Sequence, residues 1–283
     1  MTTAWRDRVG GIGDEAAIGL ADQIAVHREL GWPLLELRGV GGVALGDLEP
    51  ADRREVARLV AAAGLSVPCL DSRIGNWARP VTGPFALDVA ELDALSDLAD
   101  LLGTRYVRVM SYPGDGVPEP EWRDEVISRL GRLAALARAR GLVLLHENCS
   151  GWAGTSAART LTLLEAVGSP ALRVLFDVGN PVAHGYDGVE YLQAVLPYVD
   201  HVHVKDAVRG PDSTTFTTPG AGAAELRVCL ETLLDKGYEG AFCVEPHVAV
   251  LPHLGRRADP AEVRERYLEF GRLFERLLAE VVA

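Results

Sequence analysis

The feature that most constrains this chain is an alternation that runs its whole length: short apolar runs rich in Val, Leu and Ile, each separated from the next by a segment of helical period. A short apolar run bounded by turn residues fits a strand buried on both faces, and such strands belong to parallel sheets covered by helices. The runs predict strands over residues 8–13, 33–37, 65–70, 106–110, 142–147, 173–177, 201–205 and 240–244. The segments between them predict helices over 15–30, 50–63, 87–102, 121–140, 155–167, 188–196 and 223–236, with a last helix over 261–281. Gly31, Gly64, Gly103, Gly141, Gly168 and Gly237 each stand just past a predicted helix, where a left-handed residue ends it. Eight strand–helix pairs close into a (β/α)8 TIM barrel, the fold class expected here; a doubly wound open sheet is the competing arrangement.

No composition shift or low-complexity linker divides the chain, so residues 1–283 are expected to form one barrel domain. The formal net charge is −12, which speaks against a nucleic-acid partner, since phosphate backbones need clustered Lys and Arg. The four cysteines, Cys69, Cys149, Cys229 and Cys243, have no C-x-x-C spacing and are expected to be free thiols in a cytoplasmic protein. Residues 1–10 contain no apolar signal-peptide core, and no apolar run is long enough for a membrane span. A homo-oligomer is compatible with all of this.

Near the start, Gly11-Ile12-Gly13-Asp14-Glu15-Ala16 has the G-x-G-x-x-A outline of a dinucleotide fingerprint, and Glu36 closes the next strand. The outline is short, and a tight turn between the first barrel strand and helix produces it equally well. The later strands favour the turn.

Four of those strands end in groups that bind metals. The fifth ends in His146-Glu147-Asn148, the sixth in Asp177-Val178-Gly179-Asn180, the seventh reads His201-Val202-His203-Val204-Lys205-Asp206, and the eighth ends in Cys243-Val244-Glu245-Pro246-His247. Side chains alternate along a strand. With Val202, Val204, Phe242 and Val244 on the helix side, His203, Lys205 and Glu245 face the barrel interior. Glu147, Asp177, His203 and Glu245 then converge from four adjacent strands. Three carboxylates in one pocket repel, and a divalent cation resolves the repulsion. Oxygen ligands with one imidazole suit Mn2+, Mg2+ or Co2+ as well as Zn2+. The bland alternative is a solvated mouth in which these acids pair with Arg38, Arg73 or Arg209.

These stretches, with Phe176-Asp177-Val178-Gly179-Asn180, His203-Val204-Lys205-Asp206 and Val244-Glu245-Pro246 as the most specific, resemble the sugar phosphate isomerase/epimerase family of xylose-isomerase-like barrels along nearly the whole chain. The resemblance implies that Glu147, Asp177, His203 and Glu245 bind one divalent metal, commonly manganese. It implies further that Glu147 and Glu245 carry protons to and from the substrate carbon, with Arg209, six residues past the metal histidine, as a third catalytic group. Ketose 3-epimerases of the family often have a histidine three residues after the metal aspartate; Asn180 stands there. The family also holds inosose dehydratases, isomerases and carbon-glycoside lyases.

A Schiff-base role for Lys205 has no support in the surrounding sequence, and a lysine there more often pairs with a neighbouring acid. His201 lies one layer below His203 on the same face and reads as a hydrogen-bonded core residue. Cys149 reads as a packed thiol. The loops after the strands supply candidate substrate contacts: Arg38, Asn76, Trp77, Trp152, His184, Lys205 and His247. The expected reaction is proton transfer at a carbon beside a carbonyl, in a polyhydroxy carbonyl substrate such as a keto sugar, sugar phosphate or keto-cyclitol, through a metal-stabilised enediolate. Elimination by a dehydratase or lyase from the same site is the alternative. Endonuclease-like and non-catalytic sugar-binding barrels fit less well, the first for want of histidines and basic charge.

Overall fold

A computed structural model describes residues 5–211 and 213–283. Seven strands form one sheet in the spatial order Val9–Gly11, Phe242–Val244, Val199–Val204, Leu172–Asp177, Val143–Gly151, Tyr106–Ser111 and Leu70–Asp71, and every pairing is parallel. The ring is closed by residues 33–37, the predicted second strand. On one side Glu36 N donates to Gly11 O and Gly13 N to Glu36 O, both at 2.9 Å; on the other Leu35 N donates to Ser66 O at 3.0 Å and Asp71 N to Leu37 O at 2.8 Å. Its backbone thus serves both neighbours as a barrel strand does, but over too few residues for a regular ladder, and Pro33 has no N–H to extend it. The chain forms a (β/α)8 barrel, and the strands are counted below first to eighth in chain order, with residues 33–37 the second.

The helices Leu20–Leu30, Pro50–Ala63, Ala86–Leu102, Glu119–Ala139, Ala157–Val167, Gly188–Val195, Leu226–Asp235 and Pro260–Val281 surround the ring. The six glycines singled out in the sequence all have positive φ, between 58° and 76°. The first helix starts five residues later than its period suggests, because Gly13–Glu15 form a 3-10 turn. That turn is the glycine-rich outline near the start, and the inward-pointing Glu36 is engaged by histidines, so neither serves a dinucleotide. The fifth strand runs on to Gly151, since Gly151 pairs with Ser111 after a register shift. Two of the long loops fold into hairpins, Asp206–Arg209 with Thr214–Thr217 and Val250–Leu251 with Arg256–Arg257.

The main core lies between strands and helices and includes Val107, Val109, Leu144, Val174, Phe176, Val202, Val204, Phe242 and Val244. Inside the ring, Cys69, Leu145 and Leu175 form a small apolar floor. Polar residues fill the level above it. Among the described residues no helix is long and apolar enough to cross a membrane.

His146, on the helix-facing side of the fifth strand, is fully buried and neither ring nitrogen has a hydrogen-bond partner. Burial pushes its pKa down from 6.5 to about 4. The folded state therefore holds a neutral imidazole where the unfolded chain protonates, and stability is lost as pH falls from about 6.5 toward about 4. The shift corresponds to about 3 kcal/mol at most. His146→Leu is expected to flatten urea-unfolding free energy across this pH window relative to the wild type; an unchanged slope would show that His146 does not drive it.

Candidate active site

Glu147, Asp177, His203 and Glu245 meet above the apolar floor. All four are buried, and each offers a ligand atom within 4.8 Å of the others. Parallel pairing sets this: Asp177 lies beside His203, His203 beside Cys243, and Glu245 two residues further along that strand. Asp177 Oδ2, His203 Nδ1 and Glu245 Oε2 are buried without a hydrogen-bond partner. The Lys205 ammonium stands 3.0 Å from Asp177 Oδ2 and 2.5 Å from Glu245 Oε2, an ion-pair contact off the hydrogen-bond direction. Three acceptor atoms turned toward one another with no directed donor fit a cation held by three oxygens and one nitrogen. Neighbouring clusters fit less well. Glu36, grouped with His201 and Cys243, is saturated by two imidazoles, and Glu15, grouped with Glu245 and His247, is bonded to His247 and Arg38.

Electrostatics agree with that reading. Burial and the flanking Glu245 and Glu147 outweigh the Lys205 charge and push the Asp177 carboxyl up to about 6. Burial would raise Glu245 too, but Lys205, His247 and His203 hold it well below the ordinary carboxylate range. Lys205, despite burial, is held above its ordinary value by Asp177, Glu245 and Glu147, so it stays an ammonium and not the free amine a Schiff base needs. Burial pushes Cys149 up to about 12, which leaves it a thiol at neutral pH.

The two glutamates are supported alike. Glu147 receives Asn180 Nδ2 at 3.0 Å and Arg108 Nη1 at 3.3 Å, and Arg108 is held from behind by Asp71 at 3.3 Å. Glu245 receives Arg38 Nη1 at 2.8 Å, and Arg38 is held by Asp14 at 2.8 Å and Glu15 at 3.2 Å. His203 is aimed by Glu36: its Nε2 lies 2.9 Å from Glu36 Oε1, while His201 Nε2 lies 2.8 Å from the other oxygen. That leaves His203 Nδ1 facing the ligand cluster. Asp177 is fixed through its Oδ1, which accepts from Gly179 N at 2.9 Å and Asn180 N at 2.7 Å.

A cavity of about 430 Å³ opens above these groups. Of the residues expected to touch substrate, Arg38, Trp77, His184, Lys205 and His247 line it. Asn76 and Trp152 do not. Asn76 is buried and caps its own turn at Ala78 N; Trp152 is buried in the main core with its Nε1 donated to Glu119. Trp152 directly follows the extended fifth strand, which draws it behind the wall. Arg209 shares a hairpin face with Thr214 and Phe216, both on the wall, but is exposed and leans against Gly185 outside the lining. Arg73 pairs with Asp47 and Glu91, away from the site. His247 has a left-handed backbone, φ 54°, held by Glu15, which binds its N–H at 2.8 Å and its Nδ1 at 2.6 Å.

Sequence reasoning missed Glu15, Glu36, Asp71 and Arg108. Strand parity marks two of them: Arg108 lies between Val107 and Val109, and Glu36 between Leu35 and Leu37, the pattern that pointed His203 inward. Asp71 and Glu15 sit at a strand end and in a turn, where parity gives no direction. Glu36→Gln leaves His203 in place but removes the charge behind its ring. Mn2+ affinity measured by calorimetry is expected to fall about 10- to 100-fold with unchanged far-UV circular dichroism; wild-type affinity would show that Glu36 does not support the ligand.

Residues 24–269 match the family of xylose isomerase-like TIM barrels. The chain is 34% identical over 200 residues to a 2-epi-5-epi-valiolone 7-phosphate 2-epimerase of an Actinoplanes species, covering 70% of this chain and 71% of that protein. It is 24% identical over 243 residues to an inosose dehydratase of Geobacillus thermodenitrificans, covering 75% and 79%. Among solved structures, a xylose isomerase-like TIM barrel protein from Mycobacterium smegmatis in complex with magnesium superposes with a TM-score of 0.69 at 21% identity, covering all of both chains. Closed ring, ligand cluster and family match agree: the chain belongs to the xylose isomerase-like TIM barrel family.

Proposed function

We propose that this protein is a divalent-metal-dependent isomerase or epimerase that moves a proton at a carbon beside a carbonyl in a polyhydroxy substrate. The observation that carries this reading is the pair of buried glutamates, Glu147 and Glu245, on the first and last of four adjacent strands around a set of unbonded ligand atoms, each backed by a guanidinium. Glu147, Asp177, His203 and Glu245 would hold the ion, which we take to be Mn2+, with Mg2+, Co2+ and Zn2+ suited to the same donors. Once bound, it would withdraw electron density from the substrate carbonyl and acidify the neighbouring C–H.

The chain's own residues then divide the work. One glutamate accepts the proton, and the C–H electron pair moves into the enediolate. The other glutamate, which enters the turnover as the carboxylic acid, returns its proton from the far side of the cluster to the opposite face or to the neighbouring carbon, and exchange with solvent resets the pair. Arg38 and Arg108 hold the two carboxylates in place. Lys205 and the wall histidines His184 and His247 supply donors for substrate oxygens. Arg209 belongs to the hairpin that forms one rim and would have to leave Gly185 to approach developing oxyanion charge.

Elimination is the second reading, and the similarity to an inosose dehydratase favours it. It begins with the same proton removal and ends with loss of a β-oxygen. Turnover in D2O with added Mn2+ tests the common step. Epimerisation or isomerisation is expected to place deuterium at the altered carbon, and Glu147→Gln and Glu245→Gln are each expected to abolish net turnover while keeping the fold. A product without deuterium points to an internal hydride shift and overturns the two-glutamate mechanism. An enone or diketone product selects elimination.

A further inference from the structure

The charge balance of the cavity narrows the substrate. Three cationic side chains line it, Arg38, Arg108 and Lys205, and each is already engaged. Arg38 touches Asp14, Glu15 and Glu245; Arg108 touches Asp71 and Glu147; Lys205 touches Asp177 and Glu245. Six carboxylates thus face three cations. A divalent ion adds two positive charges and still leaves no excess within the lining to receive an anion; Arg209 on the rim is exposed and stands against Gly185, outside it. The imidazoles do not change this. Burial pushes His184 and His253 below their ordinary value, and His247 is turned onto Glu15. Backbone donors are taken as well, since the N–H groups of Gly179 and Asn180 at the start of the helix Asn180–His184 both go to Asp177 Oδ1.

The outer wall is of another kind. Trp77 is 42% exposed and stands edge-on to His253, and Leu254 beside it on the wall is 56% exposed. The aromatic run continues from His253 through His247 to Phe216, whose ring lies 4.9 Å from that of His247. The hydroxyls of Ser150, Ser213 and Thr214 provide uncharged hydrogen bonding. A phosphate dianion wants paired guanidinia, ammonium groups or free backbone N–H groups, and burying it without them is costly. A sugar or cyclitol ring wants hydroxyl partners on one side and an apolar or aromatic surface for its C–H face.

From this arrangement we infer that the substrate is electrically neutral, an unphosphorylated polyhydroxy ketone whose carbonyl end reaches the buried glutamates and whose C–H face meets the Trp77–Leu254 wall. The inference rests on the proton-transfer reading for the carbonyl, but its charge component is separable. Mg2+-loaded protein is titrated with sodium phosphate at constant ionic strength, with the side-chain NMR signals of His184 and His253 as reporters. No saturable shift is expected through the millimolar range; a saturable shift overturns the inference. In parallel, hydrogen exchange in D2O is followed for scyllo-inosose, D-fructose and D-fructose 6-phosphate. Exchange of a neutral ketone at kcat/KM at least roughly tenfold above that of the phosphorylated one supports the inference. Faster exchange of the phosphorylated compound overturns it while the proton-transfer reading stands. If no compound exchanges, the proton-transfer reading fails, and the phosphate titration alone decides the charge of the ligand.

Discussion

Everything at the barrel mouth depends on compensation of buried negative charge. Asp14, Glu15, Glu36, Asp71, Glu147, Asp177 and Glu245 crowd into one end of the ring, and all but Asp14 are buried. Unpaired carboxylates in such a place would take up protons instead of staying ionised. Asp71 shows the tendency: burial outweighs its contact with Arg108 and lifts it to about 7. Asp177, pushed up to about 6, shows it too, and the others are matched. Arg38 enters just past the second strand and Arg108 from the fourth, two histidines share Glu36, and Lys205 lies against Asp177 and Glu245. Losing one partner of such a pair strands a charge, so the arrangement acts as a unit.

That network also divides labour among chemically similar groups. Glu36 and Asp71 are bound on the inner side and serve as supports. Glu147 and Glu245 are held by guanidinia yet still line the cavity. The same residue type is thus closed in or left facing the cavity according to which side of it is covered. The division suits both family chemistries, because epimerisation and elimination share a first step and differ in what leaves after it.

The scaffold makes this possible through shear. Strands in a closed barrel tilt and stagger, so ligands that are not at one level in the ladder still meet at the axis. Glu147 pairs with Leu175 in register, not with Asp177, and Glu245 lies two residues beyond the partner of His203. The convergence is a property of the ring and not of any pair of strands.

The sequence by itself determined the alternation of strand and helix, the glycines that end the helices and the inward face of the later strands. Those are local properties: period, backbone freedom at glycine and side-chain parity are set within a few residues. From them the convergence of Glu147, Asp177, His203 and Glu245 was legible, as was the core role of His201. Arg108 and Glu36 were legible by the same parity, but Arg108 is no metal ligand and Glu36 drew attention only as the acid of the glycine-rich outline. Only the tertiary structure decided that Trp152 and Asn76 stand behind the wall, that Arg209 leans on Gly185, and that Arg38 reaches Glu245 across the first strand. Loop paths and long side chains are fixed by contacts between residues far apart in the chain, and Arg38 and Glu245 are 207 positions apart. No local pattern records which of several acids a guanidinium will meet once the ring has closed.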